Sequence, residues 1–300
     1  MPKNVLLIYY TQSGQLEEIA NNLISSFESA GITVESVRVR PEKDFPFPWT
    51  TPVFFEAMPE SVHGVPVPLE PLRFQSRSYD LVIFAYQPWF LSPSIPSNSV
   101  LLDPAFRAVI KDTPVVTLIG ARNMWLNAQE TVKNELKSAG ASLVGNVALV
   151  DRVSNLVSVV TIFHWMLSGR KDRYLNIFPK PGVSDEDILA AKEYGQIVAK
   201  AISGNSYSDL QKELVKAGAV EVKYNLMFVE NTGKKIFRVW AKIINSRKNR
   251  SRWLVIFKYY LLFALFIVSP LVLLINNIFF RPFRGKQNQK KINYYLGLNQ

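Results

Sequence analysis

Val5-Leu6-Leu7-Ile8-Tyr9-Tyr10-Thr11-Gln12-Ser13-Gly14-Gln15-Leu16 is the stretch whose reading decides the fold. Its first six residues form a continuous apolar run, as expected of a strand buried on both faces. Thr11 to Gly14 make a turn. Beyond it Leu16, Ile19, Ala20, Leu23, Ile24 and Phe27 recur at three- and four-residue spacing on one face of a helix. Gly31 stops that helix, and residues 32–39 read as a second strand. Further out, residues 79–86, 114–119 and 142–150 read as third, fourth and fifth strands, with a helix over 126–139 between the last two. Strands alternating with helices predict an α/β fold, a parallel sheet covered on both faces. Five strands with a phosphate-sized turn after the first fit the doubly wound order 2-1-3-4-5.

Two stretches add to that plan. Residues 41–78 are rich in proline and aromatics, with Phe45-Pro46-Phe47-Pro48-Trp49 and then Phe54-Phe55, and are expected to form an ordered insertion beside the sheet. From Ser184 a helix starts cleanly, with Ser184 as N-cap and Asp185, Glu186 and Asp187 in its first turn, where negative charge suits the helix dipole. Amphipathic helices over 206–217 and 235–244 follow. The chain thus divides into a body over 1–230, a basic amphipathic segment over 231–258, an apolar segment over 259–280 and a basic tail over 281–300.

Charge follows the same division. The chain has 300 residues, no cysteine and a formal net charge of +11, from 35 Lys and Arg against 24 Asp and Glu. Fourteen of those basic residues, and no acidic one, lie after Glu230, so the body holds 21 against 24 and carries about −3. Between Lys258 and Arg281 lie 22 uncharged, mostly apolar residues. As a helix they reach about 33 Å, which matches a bilayer core of about 30 Å. The basic flanks suit anionic lipid headgroups, so the expected partner is the lipid bilayer, at the cytoplasmic face of the inner membrane, and not nucleic acid. Pro270 divides the segment, and two topologies stay open, a single span or a re-entrant insertion. Met1-Pro2-Lys3-Asn4 leads straight into a strand-like run, so no signal peptide is expected.

The turn after the first strand carries the most chemistry. There the free N–H groups at the start of a helix hold an anion, Thr11 and Ser13 add hydroxyl donors, and Gly14 lets the backbone approach closely. Thr11-Gln12-Ser13-Gly14-Gln15-Leu16 resembles the flavodoxin phosphate loop, usually Thr-x-Thr/Ser-Gly-x-Thr, with Leu16 where a hydroxyl is usual. The resemblance implies a flavodoxin-like fold and FMN. The loops after strands three and four, Gln87-Pro88-Trp89-Phe90 and Gly120-Ala121-Arg122-Asn123-Met124-Trp125, would then flank the flavin, with Arg122 steadying its reduced, anionic form. Of two histidines, His164 in Ile162-Phe163-His164-Trp165 is a general-base candidate by chemistry, and Tyr86 is the other. The sequence shows no metal-ligand pattern and no nucleophile elbow.

Several stretches also resemble the flavodoxin-fold proteins known as dialkylresorcinol condensing enzymes, of dialkylresorcinol and flexirubin-type pigment biosynthesis. They are Tyr9 to Gln15, Phe47-Pro48-Trp49 with Phe54-Phe55-Glu56-Ala57-Met58-Pro59-Glu60-Ser61, Arg122-Asn123-Met124-Trp125, and Lys171-Asp172-Arg173-Tyr174 with Phe178-Pro179-Lys180-Pro181-Gly182-Val183. The resemblance implies a ketosynthase partner that makes a dialkylcyclohexane-1,3-dione, a hydrophobic small molecule, which this chain aromatises. Condensation of the ketosynthase kind needs a nucleophilic cysteine, which is absent, whereas aromatisation removes two electrons and two protons and suits hydride transfer to a flavin. Two other classes stay open: a membrane-anchored scaffold that holds the ketosynthase, favoured by Leu16, and a tethered electron-transfer flavodoxin, for which the body is short of acidic charge. Flavodoxin-like analogy also suggests a homodimer.

Overall fold

The computed structural model describes residues 3–298; Met1, Pro2, Asn299 and Gln300, the start of the expected leaderless N-terminus and the end of the basic tail, lie outside them. Five strands, β1 (Lys3–Tyr9), β2 (Ile32–Arg38), β3 (Leu81–Tyr86), β4 (Pro114–Ala121) and β5 (Ser142–Val150), form one wholly parallel sheet in the order β2-β1-β3-β4-β5. This is the flavodoxin-like doubly wound order. Val5 to Ile8 and Leu81 to Tyr86 are almost completely buried, which explains their unbroken apolar runs.

Strand ends differ from expectation for local reasons. β3 starts at Leu81 because the Asp80 carboxylate accepts hydrogen bonds from Lys3 Nζ and Asn4 N, both at 2.8 Å, and turns the chain before it can join the sheet. β4 runs two residues longer, to Ala121, paired with Val150.

Helices α1 (Gln15–Ile24), α2 (Thr51–His63), α3 (Ile95–Leu102), α4 (Pro104–Ile110), α5 (Leu126–Ser138), α6 (Asn155–Ser168) and α7 (Asp185–Gly204) connect or cover the strands. Ser184 caps α7 as expected, its Oγ accepting from Asp187 N at 3.1 Å. α1 and α7 pack so closely that a Cβ on Gly195 would lie 1.7 Å from the Leu23 carbonyl oxygen. The helix expected over 206–217 shortens to α8 (Leu210–Lys216). The one expected over 235–244 is the second half of a longer α9 (Tyr224–Asn245), whose apolar stripe begins earlier.

The insertion is ordered and packs in two places: Leu69, Leu72 and Phe74 lie against the main core beside the sheet, whereas α2 packs elsewhere. Phe55 and Met58 of α2 form a separate apolar cluster with Ala241 and Ile244 of α9 and with Leu254 and Phe257. The last two belong to α10, a helix of 46 residues over Arg250–Tyr295 that is long and apolar enough to cross a membrane. Its first π turn, Ala264–Val268, directly precedes Ser269-Pro270, where proline offers no N–H to the helix. α10 runs back along α9, and Asn276 Nδ2 donates to Tyr224 Oη at 3.0 Å. At its start Arg250 pairs with the Glu60 carboxylate of α2. At its end Ile292, Tyr295 and Leu296 pack on the main core.

Candidate functional site

The carboxyl ends of β1, β3 and β4 meet where the strand order reverses, and their loops line a cleft of about 220 Å³. Gly14 begins the site. At φ +87° it adopts a left-handed conformation that favours glycine, and its N–H donates to Thr11 Oγ1 at 3.1 Å. Thr11 is therefore buried and folds the loop, whereas Gln12, Ser13 and Gln15 reach the cleft. Gln12 Nε2 donates to Pro46 O at 3.0 Å, while its Oε1 is buried with no hydrogen-bond partner. Gln15 is tied at both ends of its amide to Val183, donating to the carbonyl at 3.1 Å and accepting from the N–H at 3.0 Å. Leu16 is 2% exposed and sits under β4, its Cδ1 3.2 Å from where a Gly120 Cβ would be. An apolar contact thus occupies the position of the usual loop hydroxyl.

The β3 loop brings Gln87, Pro88, Trp89 and Phe90 into the cleft together. Pro88–Trp89 pairs with Ser92–Pro93 as a small antiparallel hairpin. Its turn residues, Phe90 and Leu91, have φ of +47° and +62°, an uncommon conformation for bulky side chains that turns both into the interior. Trp89 meets Phe45 at 5.0 Å and Trp49 at 5.3 Å edge to face, so the insertion supplies part of the aromatic wall.

The β4 loop divides. Gly120, Ala121 and Arg122 line the cleft, Met124 points into a neighbouring pocket, and Asn123 and Trp125 turn to a third, on the α9 side. Arg122 donates from Nη1 to Asn155 Oδ1 at 2.9 Å and to its carbonyl at 3.1 Å. Burial pushes the guanidinium down to about 10, against the pull of Asp151 and Glu230, so it stays charged at neutral pH.

The two general-base candidates lie outside this cleft. Tyr86 is fully buried under the sheet end, its hydroxyl donating to Gln129 Oε1 at 2.7 Å, and burial raises its ionisation well above the usual range. His164 sits on α6 between Ile162 and Met166, which do line the cleft; about 100° per residue turns the imidazole away, to Asp172 at 2.7 Å and Tyr174.

The structure adds residues that sequence reading missed. Trp165, the neighbour of His164, and Gly182 close the cleft, and Phe54 joins it. Glu230, the last acidic residue of the chain, is 1% exposed on α9 and accepts from Asn127 N at 2.6 Å, while its Oε2 has no partner. Burial raises this carboxyl to about 7, above its hydrogen bonds' opposing effect.

The cleft adjoins a larger apolar pocket of about 280 Å³ that lies between α6, α9 and α10. Phe54, Pro88, Phe90, Arg122, Ile162 and Met166 line both. Fold and cleft together define a flavodoxin-like α/β protein with an added lipophilic compartment.

No known protein family and no curated protein matches the chain. Among solved structures it is similar to a Lactobacillus acidophilus flavoprotein in complex with FMN, at 17% identity over 49% of this chain and 93% of that one, TM-score 0.40. It is also similar to two-electron reduced Megasphaera elsdenii flavodoxin, at 16% over 51% and 89%, TM-score 0.31. A flavodoxin from the domain Archaea is similar at 10% over 66% and 98%, TM-score 0.37. At these scores the fold rests on the strand order itself.

Proposed function

We propose that the chain is a membrane-associated flavoprotein that binds FMN in the cleft and oxidises a dialkylcyclohexane-1,3-dione to the dialkylresorcinol. The observation that carries this reading is that the cleft adjoins the apolar pocket and shares six lining residues with it, Arg122 among them. A ring carrying alkyl chains fits a site whose one end is polar and whose other end is greasy.

The residues present suit the cofactor. Ser13 and the N–H groups at the start of α1 would hold its phosphate, and the unpaired Gln12 Oε1 would be free to accept a hydrogen bond from one of its hydroxyls. Gly120 and Ala121 allow close approach, and Trp89 and Trp165 offer flat surface. Bound FMN supplies a two-electron oxidant, and the ring loses two hydrogens in all. Arg122 stands where the two compartments join, and its charge stabilises the enolate of the dione. A 1,3-dione ionises readily, and beside this cation more so, so that its acidic proton passes to water and no side-chain base near the ring is needed.

Full-length protein purified in detergent and supplied with FMN is expected to show a flavin spectrum that bleaches when the dione is added without oxygen, with resorcinol formed in equal amount. A featureless spectrum overturns the cofactor. A flavin that dithionite reduces but the dione does not overturns the reaction. A second reading, a non-catalytic scaffold for a ketosynthase partner, draws on Leu16 and on the Gln15–Val183 clamp, which take two positions away from phosphate binding.

A further inference from the structure

The two faces of α10 meet different surroundings. On one, Tyr259, Phe263, Ile267, Leu271, Leu274 and Ile278 recur at three- and four-residue spacing, all exposed. On the other, Leu261, Ala264, Leu265, Val268 and Val272 wall the apolar pocket, opposite Phe228, Gly233 and Ile236 of α9. Val268 and Val272 belong to both faces, since they line the pocket and are 39% and 38% exposed. The pocket therefore reaches the surface along α10, where that surface is apolar.

Both flanks of the apolar segment rest on the same body. Arg250 holds the start on Glu60 of α2, while Leu296 O accepts from Gln211 Nε2 at 2.7 Å at the far end. A helix crossing a bilayer delivers its flanks to opposite sides of a core of about 30 Å. With both flanks on one body, the exposed stripe is what remains for lipid, and it suits a helix lying in one leaflet.

Gly233 gives the pocket its room. It sits in the interior of α9, where glycine costs about 1 kcal/mol relative to alanine. A Cβ there would come within 3.1 Å of Leu91 Cδ1, inside the pocket.

We propose that this pocket binds one unbranched aliphatic chain drawn sideways from a single membrane leaflet. Its lining is apolar apart from Arg122, Thr232, Tyr260 and Ser269, and an aliphatic chain asks for no hydrogen bonds. Met124 and Met166 adapt to chains of different length. Leaving lipid for an equally apolar pocket gains the chain little, so selection falls on the polar group at its end, which meets Arg122 where the pocket joins the cleft. The proposal rests on the flavoprotein reading only for what that polar group is.

The probe is palmitic acid carrying a diazirine near its tail, in vesicles of phosphatidylcholine and phosphatidylglycerol that hold the full-length protein. After irradiation, adducts are expected on Phe228 and Ile236 inside the pocket, away from the join at Arg122, as well as on the exposed stripe. Adducts on the stripe alone overturn the site. Gly233→Leu is expected to cut the interior adducts at least tenfold and leave those on the stripe; equal interior labelling in this variant also overturns it. The chain has no cysteine, so Ser206→Cys on the body and Lys286→Cys beyond the apolar segment report topology in sealed vesicles. An impermeant thiol reagent is expected to reach both from the same side, and opposite sides overturn entry from one leaflet. Flavin content measured on the same sample keeps the readings apart: interior adducts on a protein that takes up no FMN sustain this site and end the flavoprotein reading, and a flavoprotein labelled on the stripe alone does the reverse.

Discussion

At the α1 end of the cleft nearly every polar side chain is already committed: Thr11 to Gly14 N, Gln12 to Pro46 O, Gln15 to both backbone groups of Val183. At the α10 end hydrogen bonds are few and the walls are Phe, Met, Ile and Val. One end fixes a ligand's orientation by being rigid, and the other accepts length by being featureless. Arg122, at the join, is the one charged side chain that both ends share. The proposed substrate, polar at one end and aliphatic at the other, would match this contrast.

The contrast breaks first if the polar end loses its footing. Gly195→Ala places a methyl against the Leu23 carbonyl, where helix backbone cannot yield, and separates α7 from α1. The expected cost is about 4 kcal/mol. A melting temperature equal to wild type would show that α1 does not depend on this contact.

Next comes Glu230, whose folded carboxyl titrates near 7 against an ordinary value of 4.5. A raised value means that the stability of the protonated form is fully present below about 4.5 and is lost as pH rises through 7. The loss amounts to about 3 kcal/mol. Glu230→Gln cannot ionise, so its melting temperature is expected to fall less than wild type between pH 5 and pH 8. Parallel pH profiles would remove the buried carboxyl from the account. Gly182→Ala acts more locally: φ is +84°, and the new methyl meets Gln15 Oε1 and the Trp165 ring at 2.7 Å. It is expected to cost about 1–2 kcal/mol and to speed flavin release as the clamp on Gln15 loosens. A release rate unchanged in stopped-flow fluorescence would show the clamp is no part of the site.

The body's fold was legible because its periodicities are uncontaminated. Residues 142–150 emerged with the expected bounds, and the turn at Gly14 was found from its residue types alone. The site was legible only where a loop's backbone aims its side chains. Gln87 to Phe90 all entered the cleft, because they follow a buried strand directly. Gly120 to Trp125 split three ways, because the chain there is turning into α5 and consecutive side chains diverge. His164 was favoured for its chemistry, yet one step along a helix separates it from Trp165, and that rotation depends on which face of α6 the body covers. Glu230 was invisible for the opposite reason: a carboxylate on an amphipathic helix ordinarily faces water, and only the packing of α9 on Asn127 buries it. The destination of α2 was equally hidden, since Phe55 and Met58 can cover any apolar surface, and their partners lie almost two hundred residues away on α9 and α10.

Leu16→Thr has the smallest expected effect on binding and is the sharpest probe of the polar end. The side chain is buried against Gly120, so replacing it removes packed methyl groups and leaves a hydroxyl among apolar neighbours. The expected loss of stability is about 2 kcal/mol. If the new hydroxyl turns to the start of α1 and meets a phosphate, it returns about 1 kcal/mol of binding, near fivefold in affinity. That gain belongs to FMN alone, because riboflavin has no phosphate. The ratio of FMN to riboflavin affinity, measured by flavin fluorescence quenching, is therefore expected to rise by about that factor even as the melting temperature falls. Equal changes for the two ligands would mean that Leu16 only packs, that the phosphate lies elsewhere, and that the polar end recognises its ligand by other groups.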